Sequence, residues 1–380
     1  MRILVLIHEY PPIGGGGGRV ARDLCQGYAR RGHEVTVLTA RLGEQSSEEV
    51  ENGVRLMRLT SGRKEPFKAG LSAMFGYILA ATWHGLKLIK QWRPDVIHVH
   101  FAVPAGAAAY KLSLFTGVPY VLTAHLGDVP GGVPDKTGGW FRWVKPFTPL
   151  IWKRASTVVA VSEFTRSLAL AAYTVPVKVI FNGVDLAEYD PGTIQVNTPP
   201  RIIFAGRFVP QKNPLGLVRI LGEVKDLPWQ CIMIGDGILR PQVEAEIAAL
   251  GLQERFTLPG WVAPEVVLDW YRNGDLFLMP SLSEGLPVAG VQAMAMGLAL
   301  VMSDIGGCVD LVENGVNGWL VAPSDQPGFA LALRSLLSDP AMLLSARLAS
   351  RRLAQKFNLE TITSDYEAVL VQAAGASISG

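Results

Sequence analysis

The chain has 380 residues, which is too long for one ordinary hydrophobic core, so we predict two domains. Hydrophobic residues make up 49% of the chain and charged residues 18%, which indicates a well-packed globular protein and excludes a disordered one. The net charge of +2 gives no global signal for nucleic acid, so an anion-binding site must come from local cations and backbone amides.

Cysteine usage and hydropathy both indicate a cytoplasmic protein. Cys25, Cys231 and Cys308 are odd in number and have neither disulfide-framework nor zinc-ligand spacing. The apolar run near the N-terminus is too short for a secretion signal and is typical of a buried first strand. The longest apolar stretch, Leu71 to Ile89, is interrupted by polar residues, whereas a membrane span needs about twenty predominantly apolar ones.

The first half of the chain alternates strands and helices. A buried strand is predicted at Arg2–Ile7, and a glycine-rich loop then leads into a helix at about Arg19–Arg31. Further strands are predicted at Glu34–Thr39, Val96–Val99, Tyr120–Thr123, Thr157–Val161 and Val177–Ile180. Apolar strands that alternate with helices indicate a parallel sheet covered on both faces.

A linker at Asp190–Arg201 interrupts this alternation, because three prolines and a glycine occur there without periodicity. The second half has strands predicted at Arg201–Ala205, Gln230–Ile234, Phe256–Pro259, Leu276–Met279 and Leu300–Ser303, and helices at Asn213–Val224, Leu239–Leu250 and about Val288–Met296. We therefore predict an α/β protein of two Rossmann-like, doubly wound domains that face each other across a cleft, residues 1–190 and 201–357. The pattern leaves open whether the final helix, about 358–380, packs back on the first domain.

Five consecutive glycines, Gly14 to Gly18, separate the first strand from the first helix. Backbone amides there meet the positive end of the helix dipole and can bind an anion. The dinucleotide fingerprint G-x-G-x-x-G fails, because its last position would be Arg19 or Val20, which argues against a nicotinamide enzyme. A flexible loop without a ligand stays open, since ordering five glycines has a large entropic cost.

Two cations, Arg207 and Lys212, lie five residues apart in the loop after the strand Arg201–Ala205. A guanidinium binds phosphate oxygens as a fork and an ammonium acts as a point charge, so the two together suit a diphosphate. Taken alone, the same residues fit equally well as solvated loop cations.

The loop after the strand Leu276–Met279 brings Glu284 to the start of a helix, with Pro287 suited to the first turn. Gly285 has no side chain and therefore lets the backbone approach a ligand closely. Gln292 lies eight residues beyond Glu284, about two turns up the helix. The alternative is that the Glu284 carboxylate only complements the helix dipole.

His125 follows the strand Tyr120–Thr123 and is a candidate polar contact or proton handler, with a structural role as the alternative. His98 and His100 alternate onto one face of their strand. Two imidazoles without a third nearby ligand make a poor metal site, so we interpret them as structural residues and predict no metal.

Together these segments resemble the retaining glycosyltransferases of family 4, glycosyltransferase group 1, which have the two-domain GT-B fold. The resemblance covers essentially the whole chain, in the motifs YPP..GG, GHEVTVLT, PDVIHVH, VSEFTR, NGVD, AGRF....K, IGDG and SEGLPVAG.QAMAMG. It implies a metal-independent hexosyltransferase that moves a hexose-type sugar from a nucleotide-diphosphate donor to a glycan, lipid-linked or small-molecule acceptor. It implies no cofactor, because the nucleotide-sugar is a co-substrate, and no nucleic-acid partner.

The resemblance also implies residue roles. It places His125 and Glu284 at the transferred sugar, where His125 lies by the reaction centre. The donor-binding residues that it implies are Gly15, Gly16, Arg207, Lys212, Gly285, Leu286, Pro287 and Gln292.

Gln292 departs from the family, which usually has a second glutamate here that holds the donor ribose through two hydroxyls. A carboxylate accepts from both hydroxyls, whereas an amide offers one acceptor. Hydrogen bonds to charged groups contribute about 1.5–3 kcal/mol against about 1 kcal/mol for neutral ones, so we expect donor affinity to fall about tenfold or more. Gln292 therefore leaves open a catalytically weakened nucleotide-sugar-binding protein. A sugar-nucleotide epimerase, as another enzyme on the same fold, is a separate alternative.

Aromatic and basic residues are mixed throughout the segment 138–154. Such mixtures lie well at a bilayer surface that carries anionic lipid, and Lys64, Lys68 and Leu71–Ile89 would extend the same face. Peripheral contact with the inner face of the membrane and simple packing of a helix on the first domain both stay open.

Overall fold

The computed structural model describes residues 1–66, 69–132 and 144–376. The chain divides into two compact units. The first comprises Met1–Gly183 together with Leu359–Gly380, and the second comprises Val184–Asn358. Each unit is built on one sheet.

The sheet of the first unit has eight strands. They are β1 Arg2–Leu6, β2 Glu34–Ala40, β3 Glu48–Glu51, β4 Val54–Leu59, β5 Val96–His100, β6 Tyr120–Ala124, β7 Thr157–Ala160 and β8 Val177–Val179. Their order is β3-β4-β2-β1-β5-β6-β7-β8, and every neighbouring pair is parallel except β3 with β4. The central strands β1, β5 and β6 read as apolar runs because both faces of the sheet are covered.

The edge strand β3 and its neighbour β4 were absent from the predicted sheet. Strand β3 contains three glutamates and is almost wholly exposed, so it lacks the apolar pattern by which buried strands are recognised. It pairs antiparallel with β4 through a turn at Asn52 and Gly53, both of which have positive φ. The prediction of a parallel sheet is therefore wrong at this edge, where the charged strand discourages pairing with another chain.

Five helices of the first unit precede the second unit in the described residues. They are α1 Gly16–Arg30, α2 Leu71–Trp92, α3 Ala107–Thr116, α4 Thr148–Arg154 and α5 Glu163–Ala172. Helix α1 begins three residues before the predicted Arg19, inside the glycine run. A Cβ atom at Gly17 would lie 2.7 Å from Cζ of Phe101, and one at Gly18 would lie 2.6 Å from the Glu9 carbonyl oxygen. The first turn therefore needs glycine at these two positions, because a larger residue would not fit there.

The second unit has a six-stranded sheet in which all neighbouring strands are parallel. Its strands are β9 Arg201–Ala205, β10 Gln230–Ile234, β11 Phe256–Gly260, β12 Leu276–Met279, β13 Ala299–Ser303 and β14 Gly318–Val321. Its helices are α6 Pro214–Gly222, α7 Arg240–Ala249, α8 Pro264–Arg272, α9 Val288–Ala295, α10 Gln326–Leu337 and α11 Pro340–Leu353. The strand order is β11-β10-β9-β12-β13-β14. Strand β14 was not predicted because it is short and begins with a glycine, which weakens a strand pattern.

The C-terminal helix α12, Leu359–Ala376, belongs to the first unit, where it packs against α1, β5 and β6. A Cβ atom at Gly27 would lie 2.9 Å from Oγ1 of Thr363, so α1 and α12 are in close contact. Glu367 accepts a hydrogen bond from Arg31 at 2.7 Å and contacts Nε2 of His33 at 2.7 Å. The hydrophobic pattern left open where the final helix packs, and these contacts place it on the first unit.

Each unit has its own hydrophobic core. In the first unit, Trp152 and Tyr120 are fully buried under the helices that cover the sheet. In the second, Trp229 and Phe204 are buried in the core. No single described helix is long and apolar enough to cross a membrane, whereas the bent pair Gln326–Leu337 and Pro340–Phe357 together meets the criteria of length and composition.

Candidate active site

An ion pair of low exposure joins two loops of the second unit. Lys212 Nζ lies 2.5 Å from Glu284 Oε1, and the two side chains are 17% and 6% exposed. Lys212 ends the short helical turn that follows β9, and Glu284 lies in the loop between β12 and α9. Because β9 and β12 are parallel neighbours, their carboxyl ends bring these two loops together. The structure thus joins two residues that the sequence separates by 72 positions.

Gln211 holds the same two loops in register. Its Nε2 donates to the Ser283 carbonyl at 2.9 Å, and its backbone carbonyl accepts from Leu282 N at 2.8 Å. Sequence reasoning missed this residue. Its only signal in the sequence is its place next to Lys212.

A glycine contact fixes the backbone beside Glu284. A Cβ atom at Gly307 would lie 1.7 Å from the Gly285 carbonyl oxygen, and Gly307 N donates to the Glu284 carbonyl at 3.3 Å. The close contact at the Gly285 carbonyl therefore requires a glycine at position 307. Leu286 and Pro287 are buried, and Pro287 is the residue that precedes α9.

Arg207 lies in the loop after β9 and is half-buried. Its side chain forms no hydrogen bond or ion pair with any residue that the structure describes, so its guanidinium is available to a ligand. The carbonyl oxygen of the neighbouring Gly206 packs closely against Gly235. A Cβ atom at Gly235 would lie only 2.0 Å from this oxygen. This contact fixes the backbone on which Arg207 is carried.

The amide of Gln292 is held by a tyrosine. Its Nε2 donates to the Tyr189 hydroxyl at 2.6 Å, and the Gln292 side chain is largely buried on α9. The amide group therefore uses one donor within the protein and keeps its oxygen as the acceptor that a ligand can use. Tyr189 was not identified from the sequence.

His125 follows β6 at the start of a short helical turn, Leu126–Asp128. The Phe101 ring stacks on its imidazole with centroids 4.4 Å apart, and His100 Nδ1 lies 3.4 Å from His125 Nε2. Burial lowers the pKa of the His125 imidazole to about 4, against an opposing effect of Glu9. The ring is therefore neutral near pH 7, and it can donate or accept one hydrogen bond at each nitrogen.

Asp128 anchors His125 through the backbone. Its Oδ2 accepts from His125 N at 2.9 Å and its Oδ1 accepts from Ala102 N at 2.9 Å, so one carboxylate links the ends of β5 and β6. Burial raises the pKa of Asp128 to about 7, although the backbone hydrogen bonds act in the opposite direction. Sequence reasoning missed this role, for which the three-residue spacing from His125 was the available signal.

The glycine loop lies beside His125 within the first unit. Gly15 precedes α1 and Gly16 is its first residue. A Cβ atom at Gly17 would lie 3.5 Å from Cε1 of His125. No described side chain caps α1 and its first turn has no acidic residue, so its N-terminal amides are available to an anion.

Comparisons with known proteins identify the family. The Glycosyltransferase Family 4 profile matches residues 14–188, and the profile of Glycosyl transferases group 1 matches residues 199–339. Glycogen synthase of Mycobacterium tuberculosis is 30% identical to this chain, over 96% of the chain and 93% of the relative. The chain belongs to the family 4, group 1 glycosyltransferases.

Solved structures share the two-domain GT-B fold of this glycosyltransferase. Sucrose-phosphate synthase from Thermosynechococcus elongatus superposes with a TM-score of 0.86 at 20% identity, over 99% of this chain and all of that one. HepE of Anabaena, solved in complex with UDP-glucose, gives a TM-score of 0.78 at 21% identity, over 98% of this chain and all of that one. The predicted fold and family are confirmed.

His98 and His100 of this glycosyltransferase lie inside the first unit. Burial lowers the pKa of His98 to about 3 and that of His100 well below its usual range. His98 Nε2 contacts Thr123 Oγ1 at 2.9 Å, and its ring lies 4.3 Å from the His100 ring. Among residues 1–66, 69–132 and 144–376, no group of three or more His, Cys, Asp or Glu side chains is placed to hold a metal ion.

The aromatic and basic segment 138–154 is described only in part, because residues 138–143 lie outside the described residues, as does Lys68. In the remainder, Trp152 is fully buried in the core, which agrees with helix packing. Phe147 and Leu150 are exposed.

Proposed function

We propose that this glycosyltransferase takes a hexose-type sugar from a nucleotide-diphosphate donor and that its second unit binds the donor. The observation that carries the proposal is the Lys212–Glu284 pair, in which Lys212 belongs to the same loop as the Arg207 guanidinium. The complex of HepE with UDP-glucose supports the donor class, because that protein shares the fold.

The pair explains how one donor would engage both residues. A pyrophosphate attracts Lys212 and Arg207, and its charge competes with the Glu284 carboxylate for the ammonium group. Glu284 is then able to accept hydrogen bonds from the hydroxyls of the transferred sugar. The two cations also stabilise the charge that develops on the leaving phosphate, without a metal ion.

The proposed reaction retains the anomeric configuration. The bond from C1 of the sugar to the phosphate oxygen breaks, and the bond from C1 to the acceptor oxygen forms on the same face. The acceptor proton passes to the leaving phosphate oxygen, so a nucleoside diphosphate is released. In this reaction His125 is proposed to lie by the transferred sugar as a neutral imidazole.

A thermal-shift panel of UDP, GDP, ADP, CDP and TDP tests the donor assignment. A ligand at about 100 times its Kd adds roughly 2.7 kcal/mol to the free energy of unfolding. One nucleotide should shift wild type and Arg219→Ala, whose arginine pairs with Glu246 elsewhere in this unit, but not Arg207→Ala. If no nucleotide shifts the wild type, or if Arg207→Ala responds fully, the assignment fails.

Product analysis tests the chemistry once the donor is known. The NMR coupling of the anomeric proton should show the donor configuration in the product, and EDTA should leave the rate unchanged. An inverted product would refute retention, and inhibition by EDTA that added metal restores would refute metal independence.

The amide at Gln292 favours one alternative, a nucleotide-sugar-binding protein with little turnover. With Nε2 bonded to Tyr189, it offers the donor ribose fewer acceptors than a carboxylate would. The two functions differ in a direct assay. Sugar transfer, or slow donor hydrolysis, that is abolished in Glu284→Ala would exclude the binding-only function.

A further inference from the structure

Helix α2 is apolar on two opposite faces. The buried residues of one face, four positions apart, are Ala73, Tyr77, Ala81 and Gly85. The exposed residues of the other face, also four positions apart, are Leu71, Phe75, Leu79 and Trp83, which are 59%, 61%, 51% and 61% exposed. The two sets are offset by two residues, or about 200° around the helix.

This second apolar face is unexpected for a surface helix, which normally presents polar residues opposite its core-facing stripe. Single exposed apolar residues are common and need no explanation, but contiguous exposed apolar patches mark interaction sites. Four large side chains in one row along α2 form such a patch.

Two neighbouring helices also carry exposed apolar side chains. Helix α3 packs against α2, where a Cβ atom at Gly85 would lie 2.6 Å from Leu112, and α4 packs against α3, where Arg154 donates to the Ser113 carbonyl at 2.9 Å. The exposed apolar residues on or next to α3 and α4 are Leu114, Phe115, Phe147 and Leu150. We name these four, with the exposed four of α2, the α2–α4 surface. It holds four of the five large aromatic side chains that are exposed in the described residues.

The charged side chains on the three helices have one sign. Helices α2, α3 and α4 contain no aspartate or glutamate, whereas Lys87, Lys90 and Lys153 are exposed on them. Lys87 Nζ lies 4.7 Å from the centroid of the Trp83 ring, so a cation borders the apolar row directly. An occupant of this surface must therefore be apolar in part and negatively charged at its boundary.

We propose that the α2–α4 surface docks on a bilayer that contains anionic lipid. Aromatic and aliphatic side chains enter the boundary between headgroups and acyl chains, while the lysines meet the lipid phosphates. An acidic protein partner would supply charge, but a bilayer supplies the charge and an apolar layer over the whole row. The proposal goes beyond the transferase chemistry and does not depend on the donor.

Co-sedimentation with phosphatidylcholine vesicles, with and without phosphatidylglycerol, tests this docking. Wild type should bind the anionic vesicles, and binding should weaken as salt screens the lysines. Phe75→Ser/Trp83→Ser should lose about tenfold or more in partitioning for each aromatic residue. Lys87→Gln/Lys90→Gln should lose about fivefold for each lysine, and only on anionic vesicles.

The matched control is Leu331→Ser, which removes a 68% exposed leucine from α10 in the second unit and should bind vesicles like wild type. Unchanged melting temperatures of all variants, and unchanged nucleotide-induced thermal shifts, separate a docking defect from misfolding and from failure of the donor proposal. Absence of wild-type binding, or equal binding by Phe75→Ser/Trp83→Ser, would overturn the proposal. So would a wild-type dimer in sedimentation velocity that the same double variant dissociates, because the surface would then bind a second copy of the chain.

Discussion

The hydrogen bond between Gln292 and Tyr189 determines what the amide can offer to a ligand. Nε2 is occupied by the tyrosine hydroxyl, so the oxygen is the acceptor that remains. Sequence comparison alone indicated a weaker acceptor at this position, but not the tyrosine that orients it. The orientation arises from a contact across 103 positions, which no local pattern encodes.

Restoring a carboxylate at 292 should strengthen donor binding. In Gln292→Glu, Tyr189 can donate to the carboxylate, which still has capacity for two ribose hydroxyls. We expect the Kd of the donor nucleotide to fall about tenfold, because hydrogen bonds to charged acceptors are stronger. Isothermal titration calorimetry measures this, with the exposed Gln230→Glu as the control for the added charge. An unchanged Kd would mean that residue 292 does not contact the donor.

Removing one acceptor from the Asp128 anchor should affect both stability and turnover. In Asp128→Asn, the side-chain oxygen can accept from one of the two backbone amides, while the new NH₂ group faces a donor at the other. We expect a loss of about 1–3 kcal/mol in the free energy of unfolding by urea titration. Turnover should also fall, because His125 N loses a fixed partner. Asp95→Asn is the matched control, since Asp95 also accepts a backbone amide, from Arg2, but is exposed.

At the scale of residues, the resemblance to the family identified the loops that meet but not the groups that hold them. Lys212 and Glu284 were proposed separately, from separate motifs, and the structure brings them together. Gln211 and Asp128 were missed because each acts on the backbone of another loop. Such roles depend on which carboxyl ends are neighbours in the sheet, and this is fixed by strand order.

At the scale of elements, the central parallel strands were predictable because burial on both faces leaves nearly continuous apolar runs. The bounds of β9, β10 and β12 agree with the prediction at every residue. The edge strand β3 was missed for the opposite reason, since its exposed residues are mostly charged. The start of α1 also failed, because glycines are weak helix formers and only the packing of that turn requires them.

The first turn of α1 gives a test at this scale. Gly17→Ala should place a methyl group 2.7 Å from the Phe101 ring and displace it from His125, at a cost of about 1–3 kcal/mol. Gly15→Ala is the matched control in the same glycine run, because no atom lies within 4 Å of its Cβ position. Urea titration of both variants measures the difference. Equal stabilities would show that Phe101 moves freely and does not fix the histidine.

At the scale of the whole molecule, the two units differ in their number of histidines, and burial makes this difference matter for stability in acid. All six histidines occur before residue 126, so all of them belong to the first unit. Burial lowers the pKa of His8 and His125 to about 4, that of His98 to about 3, and that of His100 well below its usual range. The second unit contains no histidine.

This distribution predicts that mild acid unfolds the first unit before the second. An unfolded histidine takes up a proton near pH 6.5, which the folded imidazole does not, so each of the four subtracts up to about 1.4 kcal/mol per pH unit as the pH falls from 6.5 towards 4. Asp23 and Asp128 act in the opposite direction, because burial raises the pKa of both carboxyl groups, that of Asp128 to about 7. Below that pH the folded state holds protons that the unfolded state does not bind, but these are two groups against four histidines. Hydrogen exchange at pH 7 and pH 5, corrected for intrinsic rates, should therefore show β5 and β6 losing protection while β12 and β13 retain theirs. Equal losses in both units would contradict this order. If the order holds, acidification would unfold the half of the protein that carries His125 and leave the half that carries Glu284 intact.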